Sequence, residues 1–234
     1  MQRTLIIGGT FNPVHFGHLR LAEEVRKSLA FDQVQWIPCH VPRHKCPKGL
    51  LSFSLRLALL QAAVEGETGA SVNDIEIRLP SPSSTYQTLQ ALTSIDPDTD
   101  RHFILGCDEF LRLHEWYRGR ETISLANWVV AGRMGLDVDW FCKSVETAWP
   151  GCRPISPPKG SLAAYKFVSG RRAVLLQLPR LEVSSSLIRE RWLSGRNLDE
   201  LLPQTVLELL VAHRADADAT WAKDRRVLPA GHVA

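Results

Sequence analysis

Leu5-Ile6-Ile7-Gly8-Gly9-Thr10-Phe11-Asn12-Pro13-Val14-His15-Phe16-Gly17-His18 decides how the rest of the chain is read. Leu5-Ile6-Ile7 is a short apolar run of the kind that forms a buried strand. Gly8-Gly9-Thr10 ends it, Phe11-Asn12-Pro13-Val14 makes a turn, and a helix is predicted from about His15 to Leu29. Leu21, Ala22, Val25 and Leu29 form the apolar stripe of that helix, with Glu23, Glu24, Arg26 and Lys27 outside it. Val34-Gln35-Trp36-Ile37-Pro38 reads as the next strand. Strand, helix and strand in this order favour a parallel α/β sheet with a right-handed crossover.

The same reading carries along the chain. Helices are expected over Ser54–Glu65, from Thr85 to Leu92, over Asp108–Leu113 and over Leu201–His213. Strands are expected at Val72–Leu79, which alternates, and at His102–Leu105, Ala126–Gly132 and Ala173–Leu178. Ser184-Ser185-Ser186 before Leu187-Ile188-Arg189 is an N-cap cluster opening a helix, and Gly195 suits its stop. Residues 135–172 read as irregular and peripheral. The fold class is therefore α/β, a Rossmann-like open parallel sheet with helices on both faces. A single domain is expected over 1–213, with a helical C-terminal part over about 180–213 and a flexible tail over 214–234.

At 234 residues the chain buries enough surface to need no disulfide or metal staple. Its 28 basic and 25 acidic residues leave a net charge of +3, too small for a nucleic-acid binder, so no nucleic-acid partner is expected. No apolar run is long enough for a membrane span, and none near Met1 resembles a signal-peptide core, so a cytoplasmic location is expected. Five cysteines, an odd number, fit free thiols in a reducing compartment.

The strand–glycine–helix stretch is a natural anion site. Ligands of open parallel sheets bind at the carboxyl ends of the strands, here those ending near Ile7 and Leu105. Gly8 and Gly9 let a phosphate approach the backbone, and a helix N-terminus favours negative charge. His15 and His18, three residues apart, can face one ligand from the first helical turn, with Gly17 leaving room for a base or ribose.

This string resembles the HxGH signature of the nucleotidyltransferase superfamily, and in its longer form the bacterial nicotinate mononucleotide adenylyltransferases. Four later segments resemble that family in the same order: Val41-Pro42-Arg43-His44-Lys45, Ser83-Ser84-Thr85-Tyr86-Gln87-Thr88-Leu89, Ile104-Leu105-Gly106-Cys107-Asp108 with Trp116, and Val183-Ser184-Ser185-Ser186-Leu187-Ile188-Arg189. The resemblance spans about residues 4–213 and implies adenylyl transfer from ATP to nicotinate mononucleotide, giving deamido-NAD and pyrophosphate. It implies that His15, His18, Lys45 and Arg189 carry catalysis. It assigns Gly8, Gly9, Thr10, Phe11, His18, Gly106, Asp108, Ser184, Ser185 and Arg189 to ATP, and Thr85, Trp116, His44 and Lys45 to the mononucleotide. Mg²⁺ is expected to arrive on the ATP phosphates, with no protein-held metal.

Bland readings stand beside these. Lys45 alone is a solvated lysine, Arg189 a partner for Glu182 or Glu190, Asp108 a helix cap and Trp116 a core residue. Cys39, His40, His44 and Cys46 are all potential zinc ligands, but their spacing is unlike a zinc knuckle. Asn12 stands where many family members have Asp, in a turn that either residue can cap. A phosphopantetheine or nicotinamide mononucleotide adenylyltransferase of the same fold, or a non-catalytic nucleotide-binding regulator, are the competing functions.

Overall fold

The computed structural model describes residues 2–42, 48–133, 135–179 and 182–223. Its strands are β1 Arg3–Gly9, β2 Gln33–Pro38, β3 Ala70–Val72, β4 Asp100–Gly106, β5 Asn127–Arg133, β6 Arg153–Pro154, β7 Ala163–Lys166 and β8 Arg172–Leu178. Its helices are α1 Phe16–Ser28, α2 Phe53–Val64, α3 Thr85–Ile95, α4 Cys107–Arg112, α5 Gly119–Thr122, α6 Val138–Ala148, α7 Ser185–Leu193, α8 Gln204–Ala212 and α9 Arg214–Trp221. The chain divides into two compact units. The first comprises Met1–Gly8, Leu21–Gln35 and Ser84–Arg180, and the second Gly9–Arg20, Trp36–Ser83 and Leu181–Ala234.

The first unit carries the expected central parallel sheet flanked by helices, with strand order β1-β4-β5-β8-β7-β6 and the start of β2 beside β1. β1 runs parallel to β4 with Ile6 opposite Phe103, and β4 runs parallel to β5 with Leu105 opposite Val130. Gly8 and Gly106 therefore leave the sheet at the same edge. Trp128, Val129 and Val130 of β5 are fully buried, as a parallel strand covered on both faces requires. Residues 135–172 are not irregular. Asp137 caps α6 by accepting the Trp140 N–H, and Phe141 and Val145 turn inward. β7 then pairs antiparallel with β8 and with β6, extending the sheet at one edge. β6 and β7 are two and four residues long, with Pro157, Pro158 and Gly160 between them, so no periodicity announced them.

In the second unit the strand expected at Val72–Leu79 stops at Val72. The Asn73 side chain accepts the Ile75 N–H at 2.9 Å, an Asx turn that breaks the extended run. Ile75–Arg78 is a 3₁₀ turn in which the neighbours Ile75 and Glu76 are both buried. α2 packs on α8, where the Thr205 hydroxyl donates to Ala62 O at 2.9 Å. The flexible tail expected from 214 begins instead as α9, which packs on α7 and α8. Trp221 is fully buried and meets Trp192 edge to face at 5.7 Å, while Trp192 Nε1 donates to Asp218 at 2.6 Å. The sequence beyond Lys223 lies outside the described residues.

Trp221→Ala is expected to lower unfolding free energy by about 3–5 kcal/mol, the range for truncating a buried tryptophan. A urea titration reads this. A change below about 0.5 kcal/mol would return α9 to the status of a loose tail.

Candidate active site

The turn that joins β1 to α1 is held by its carbonyls. Gly9 O accepts the Cys39 N–H at 2.8 Å. Thr10 O accepts Arg56 Nη1 at 2.8 Å, Asn12 O accepts Arg189 Nη1 at 2.9 Å, and Pro13 O accepts the Ser185 hydroxyl at 2.9 Å. Between them Phe11 takes a left-handed backbone, φ 48°, that a residue with a side chain adopts only when its surroundings impose it. Its ring is buried and lies edge-on to His18 at 5.0 Å and to Trp36 at 5.8 Å.

The glycines serve the protein's own packing. A Cβ on Gly8 would lie 2.7 Å from the Phe103 ring, and one on Gly9 would lie 3.0 Å from Phe11. The space beside Gly17, expected to admit a base or ribose, is taken by His15, whose Nδ1 would lie 2.8 Å from an added Cβ.

His15 and His18 do come together, ring on ring, with centroids 3.7 Å apart and planes tilted by 31°. They are not equivalent. His15 is 6% exposed, and burial pulls its pKa down to about 4. It is therefore a neutral imidazole at pH 7. His18 is half-buried, so it is the ring of the pair more open to solvent.

Arg189 and the serine cluster meet this turn in the same unit. Arg189 spans Asn12 O and the Ser186 hydroxyl, the latter at 3.1 Å. Ser184 caps α7 by accepting the Leu187 N–H at 3.2 Å. The first-turn amides of α7 point out of the helix start, where an anion would meet them.

Two further residues complete the frame: Asn12, read from sequence only as a turn cap, and Arg56, to which no role was assigned. Asn12 is buried; its amide donates to Gly49 O at 2.7 Å and its carbonyl oxygen accepts the Leu51 N–H at 3.1 Å. Asp could not make the first of these bonds, so the two residues are not interchangeable here. Arg56, 1% exposed, donates to Leu51 O, Thr10 O, Cys39 O and His40 O. It is the one charged residue of α2, a signal the sequence did carry. His44, Lys45 and Cys46 lie outside the described residues. Among the described residues no group of three His, Cys, Asp or Glu side chains could hold a metal.

The first unit holds the remaining candidates. Gly106 and Asp108 line a pocket of about 330 Å³ with Cys107, Ala131 and Arg133. Arg133 is a cation not foreseen from sequence. A Cβ on Gly106 would meet nothing within 4 Å, so this glycine marks open space. Thr85 opens α3 directly after Ser84, whose hydroxyl accepts the Gln87 N–H. Trp116 is half-buried, and next to it Tyr117 is 51% exposed and lies edge-on to Tyr86 at 6.3 Å.

A cytidylyltransferase-like family model matches residues 6–191, which makes the chain a nucleotidyltransferase. A protein of Desulfatibacillum aliphaticivorans named as a probable nicotinate-nucleotide adenylyltransferase is 37% identical over 88% of this chain and 95% of its own. One of the same name from Synechococcus sp. is 34% identical over 93% of this chain and 96% of its own. The solved Plasmodium falciparum nicotinic acid mononucleotide adenylyltransferase complexed with NaAD shares the fold at a TM-score of 0.65 and 15% identity, over 92% of this chain and 98% of that one. The chain belongs to the cytidylyltransferase-like family and, within it, to the nicotinate-nucleotide adenylyltransferases.

The buried His15 makes stability depend on pH with a definite sign. Its pKa is about 4 folded, against 6.5 for an ordinary histidine. Between those values the unfolded chain binds the proton and the folded chain does not. Stability is therefore expected to fall as pH drops from about 6.5 to about 4, by up to about 3 kcal/mol from this residue. His102, also lowered by burial, adds to the slope. Urea midpoints measured from pH 7 to pH 4 should flatten in His15→Asn; an unchanged slope would show that His15 does not titrate this way.

Proposed function

We propose that this chain transfers the adenylyl group of ATP to nicotinate mononucleotide, giving deamido-NAD and pyrophosphate, a step of NAD biosynthesis. The observation that carries the reading is one turn bearing the stacked His15 and His18, with Arg189 seated on the Asn12 carbonyl of that turn. The relatives named nicotinate-nucleotide adenylyltransferases support the substrate assignment.

A 5′-phosphate oxygen of the mononucleotide attacks the α-phosphorus of ATP in line. The bond from that phosphorus to the bridging oxygen breaks, and pyrophosphate leaves with the electron pair. A phosphate oxygen is already ionised at neutral pH, so the protein supplies position and charge rather than a nucleophile. His18 donates to the α-phosphate as charge builds there, and neutral His15 orients it by ring contact. Arg189 and the first amides of α7 receive the β- and γ-phosphates. Mg²⁺ arrives bound to those phosphates as part of the substrate. Lys45 and His44, both outside the described residues, are assigned to the mononucleotide by the family resemblance, Lys45 also to catalysis. Gly8, Gly9, Thr10 and Phe11 shape the turn, and Gly106 and Asp108 receive the nucleotide sugar. Thr85 and Trp116 hold the pyridine, with the indole stacked on the ring. The cytoplasm is the compartment that suits the free thiols of Cys39, Cys107, Cys142 and Cys152.

His18→Ala is expected to lower kcat by about 10²-fold or more with an unchanged circular dichroism spectrum, the size of one lost transition-state donor. Pyrophosphate release measures it, and near-normal turnover in the folded variant would remove this role.

The carboxylate form of the substrate is expected to be preferred. A threonine hydroxyl and helix-start amides offer donors, which both carboxylate oxygens accept, whereas the NH₂ of a carboxamide faces another donor. A mismatched buried polar group costs about 1–3 kcal/mol, or roughly 5- to 150-fold in kcat/KM. Pyrophosphate release with nicotinate mononucleotide, nicotinamide mononucleotide and phosphopantetheine tests both this preference and the competing substrates. Equal rates with the two pyridine nucleotides would overturn the preference, and activity with phosphopantetheine alone would overturn the substrate.

A further inference from the structure

Among the described residues two non-glycine residues take a left-handed backbone: Phe11 in the turn after β1, and Arg118 at φ 51°. Arg118 stands between Trp116 and α5, in a stretch that is bonded to itself. The Trp116 N–H donates to Leu113 O at 3.1 Å, and Trp116 O accepts the Gly119 N–H at 2.9 Å. The passage is tight, since a Cβ on Gly119 would overlap Leu113 O. The buried Thr122 hydroxyl then donates to Arg118 O at 2.9 Å. Arg118 thus turns the chain at a point where glycine would do so without strain. What arginine adds is its side chain. Its guanidinium carbon lies 4.1 Å from the centroid of the Tyr86 ring. Glu121 accepts its Nε at 2.7 Å and its Nη2 as well, which fixes the fork in that place. Tyr86 is buried in the first turn of α3, directly after Thr85, and Tyr117 meets the same ring edge-on. All of these residues belong to the first unit.

We propose that Arg118 is a positioning residue for the pyridine end of the mononucleotide: through Tyr86 it holds the Trp116 segment at a set distance from Thr85. The inference rests on the assignment of Thr85 and Trp116 to the pyridine in the proposed function. A pyridine carboxylate is one rigid, planar group. It stacks on an indole and accepts a hydroxyl donor at the same time only where the two protein groups are correctly spaced. The segment that carries Trp116 and the helix that carries Thr85 are joined here by side chains, and the Arg118–Tyr86 contact is the charged one among them. An exposed ion pair such as Arg118–Glu121 contributes little by itself. Its effect is to hold the guanidinium over the ring, where a cation is attracted to the aromatic face.

Pyrophosphate release by variants of the full chain tests this. Arg118→Ala is expected to raise the KM for nicotinate mononucleotide by about tenfold while the KM for ATP stays within about twofold. Arg118→Gly removes the backbone strain together with the guanidinium, and the same rise is expected; a wild-type KM in this variant would show that the turn alone matters and would overturn the proposal. Tyr86→Phe keeps the ring face and is expected to stay within about twofold of wild type. Tyr86→Leu is expected to match Arg118→Ala, and the double variant of Arg118→Ala with Tyr86→Leu to be no worse than either alone, because both remove one contact. Should Tyr86→Leu fail to fold, the two Arg118 variants and Tyr86→Phe still decide. Hydrogen exchange at the Gly119 amide needs no substrate and should quicken in Arg118→Ala. An unchanged KM for the mononucleotide, an equal rise in both KM values, additive losses in the double variant, or unchanged exchange at Gly119 would overturn the proposal. Absence of any pyrophosphate release by the wild-type chain would instead overturn the functional reading, and the exchange arm would still decide whether Arg118 holds the turn.

Discussion

A single buried guanidinium holds the second unit's functional loops together. Arg56 is surrounded by four carbonyls from three separate stretches: Thr10 in the turn after β1, Cys39 and His40 after β2, and Leu51 before α2. No neutral side chain offers so many donors in a fixed plane, and lysine would offer a point charge without the fork. Burial pulls the Arg56 pKa down from its usual range, yet an arginine stays charged under any condition in which the protein folds. The carbonyls, with Glu76 nearby, compensate the desolvation that makes such a charge expensive.

The consequence reaches the histidines. Phe11 sits in a left-handed conformation that costs on the order of 1–3 kcal/mol and would relax if its neighbours were loose. Arg56 on Thr10 O and Arg189 on Asn12 O grip the chain on either side of it. With Phe11 locked, its ring has a fixed place against His18, and His18 a fixed place against His15. Gly17 closes the set by leaving room for the His15 ring, whose Nδ1 would lie 2.8 Å from an added Cβ. Gly8, Gly9 and Gly17 of this motif make room for protein rings, and those rings fix the groups that face outward.

Much of this frame was legible in the sequence, and the illegible part has a common physical cause. The apolar run Leu5–Ile7, the glycine break and the stripe Leu21, Ala22, Val25, Leu29 are local signals, and they placed β1, the turn and α1 to within a residue or two. The cap at Ser184 and the stop at Gly195, φ 66°, were equally local. Contacts between distant stretches were not. Asn12 bonds residues 37 and 39 positions away, and Arg189 reaches back 177 positions, so nothing in their neighbours reports it. Glu76 was hidden by an alternating pattern that looked like a strand, because a 3₁₀ turn can also place one charge between two isoleucines. The short edge strands β6 and β7 and helix α9 were missed because tertiary packing, not propensity, sustains them.

Asn12 shows why identity at such a position is more than turn chemistry. A capping role needs only an acceptor, which Asp and Asn both provide. Here the acceptor faces the Leu51 N–H, but the other end of the group faces the Gly49 carbonyl, so one donor and one acceptor are both required. A carboxylate at that point would set two oxygens against one another in a buried site, unless the loop between Gly49 and Leu51 turned its peptide planes. The identity of residue 12 is thus tied to the conformation of a loop nearly forty residues away, and through Asn12 O to the arginine assigned to the departing pyrophosphate. Substituting at this position in isolation changes both ends of that connection, so the turn, the loop and Arg189 act as one structural unit rather than three separate motifs.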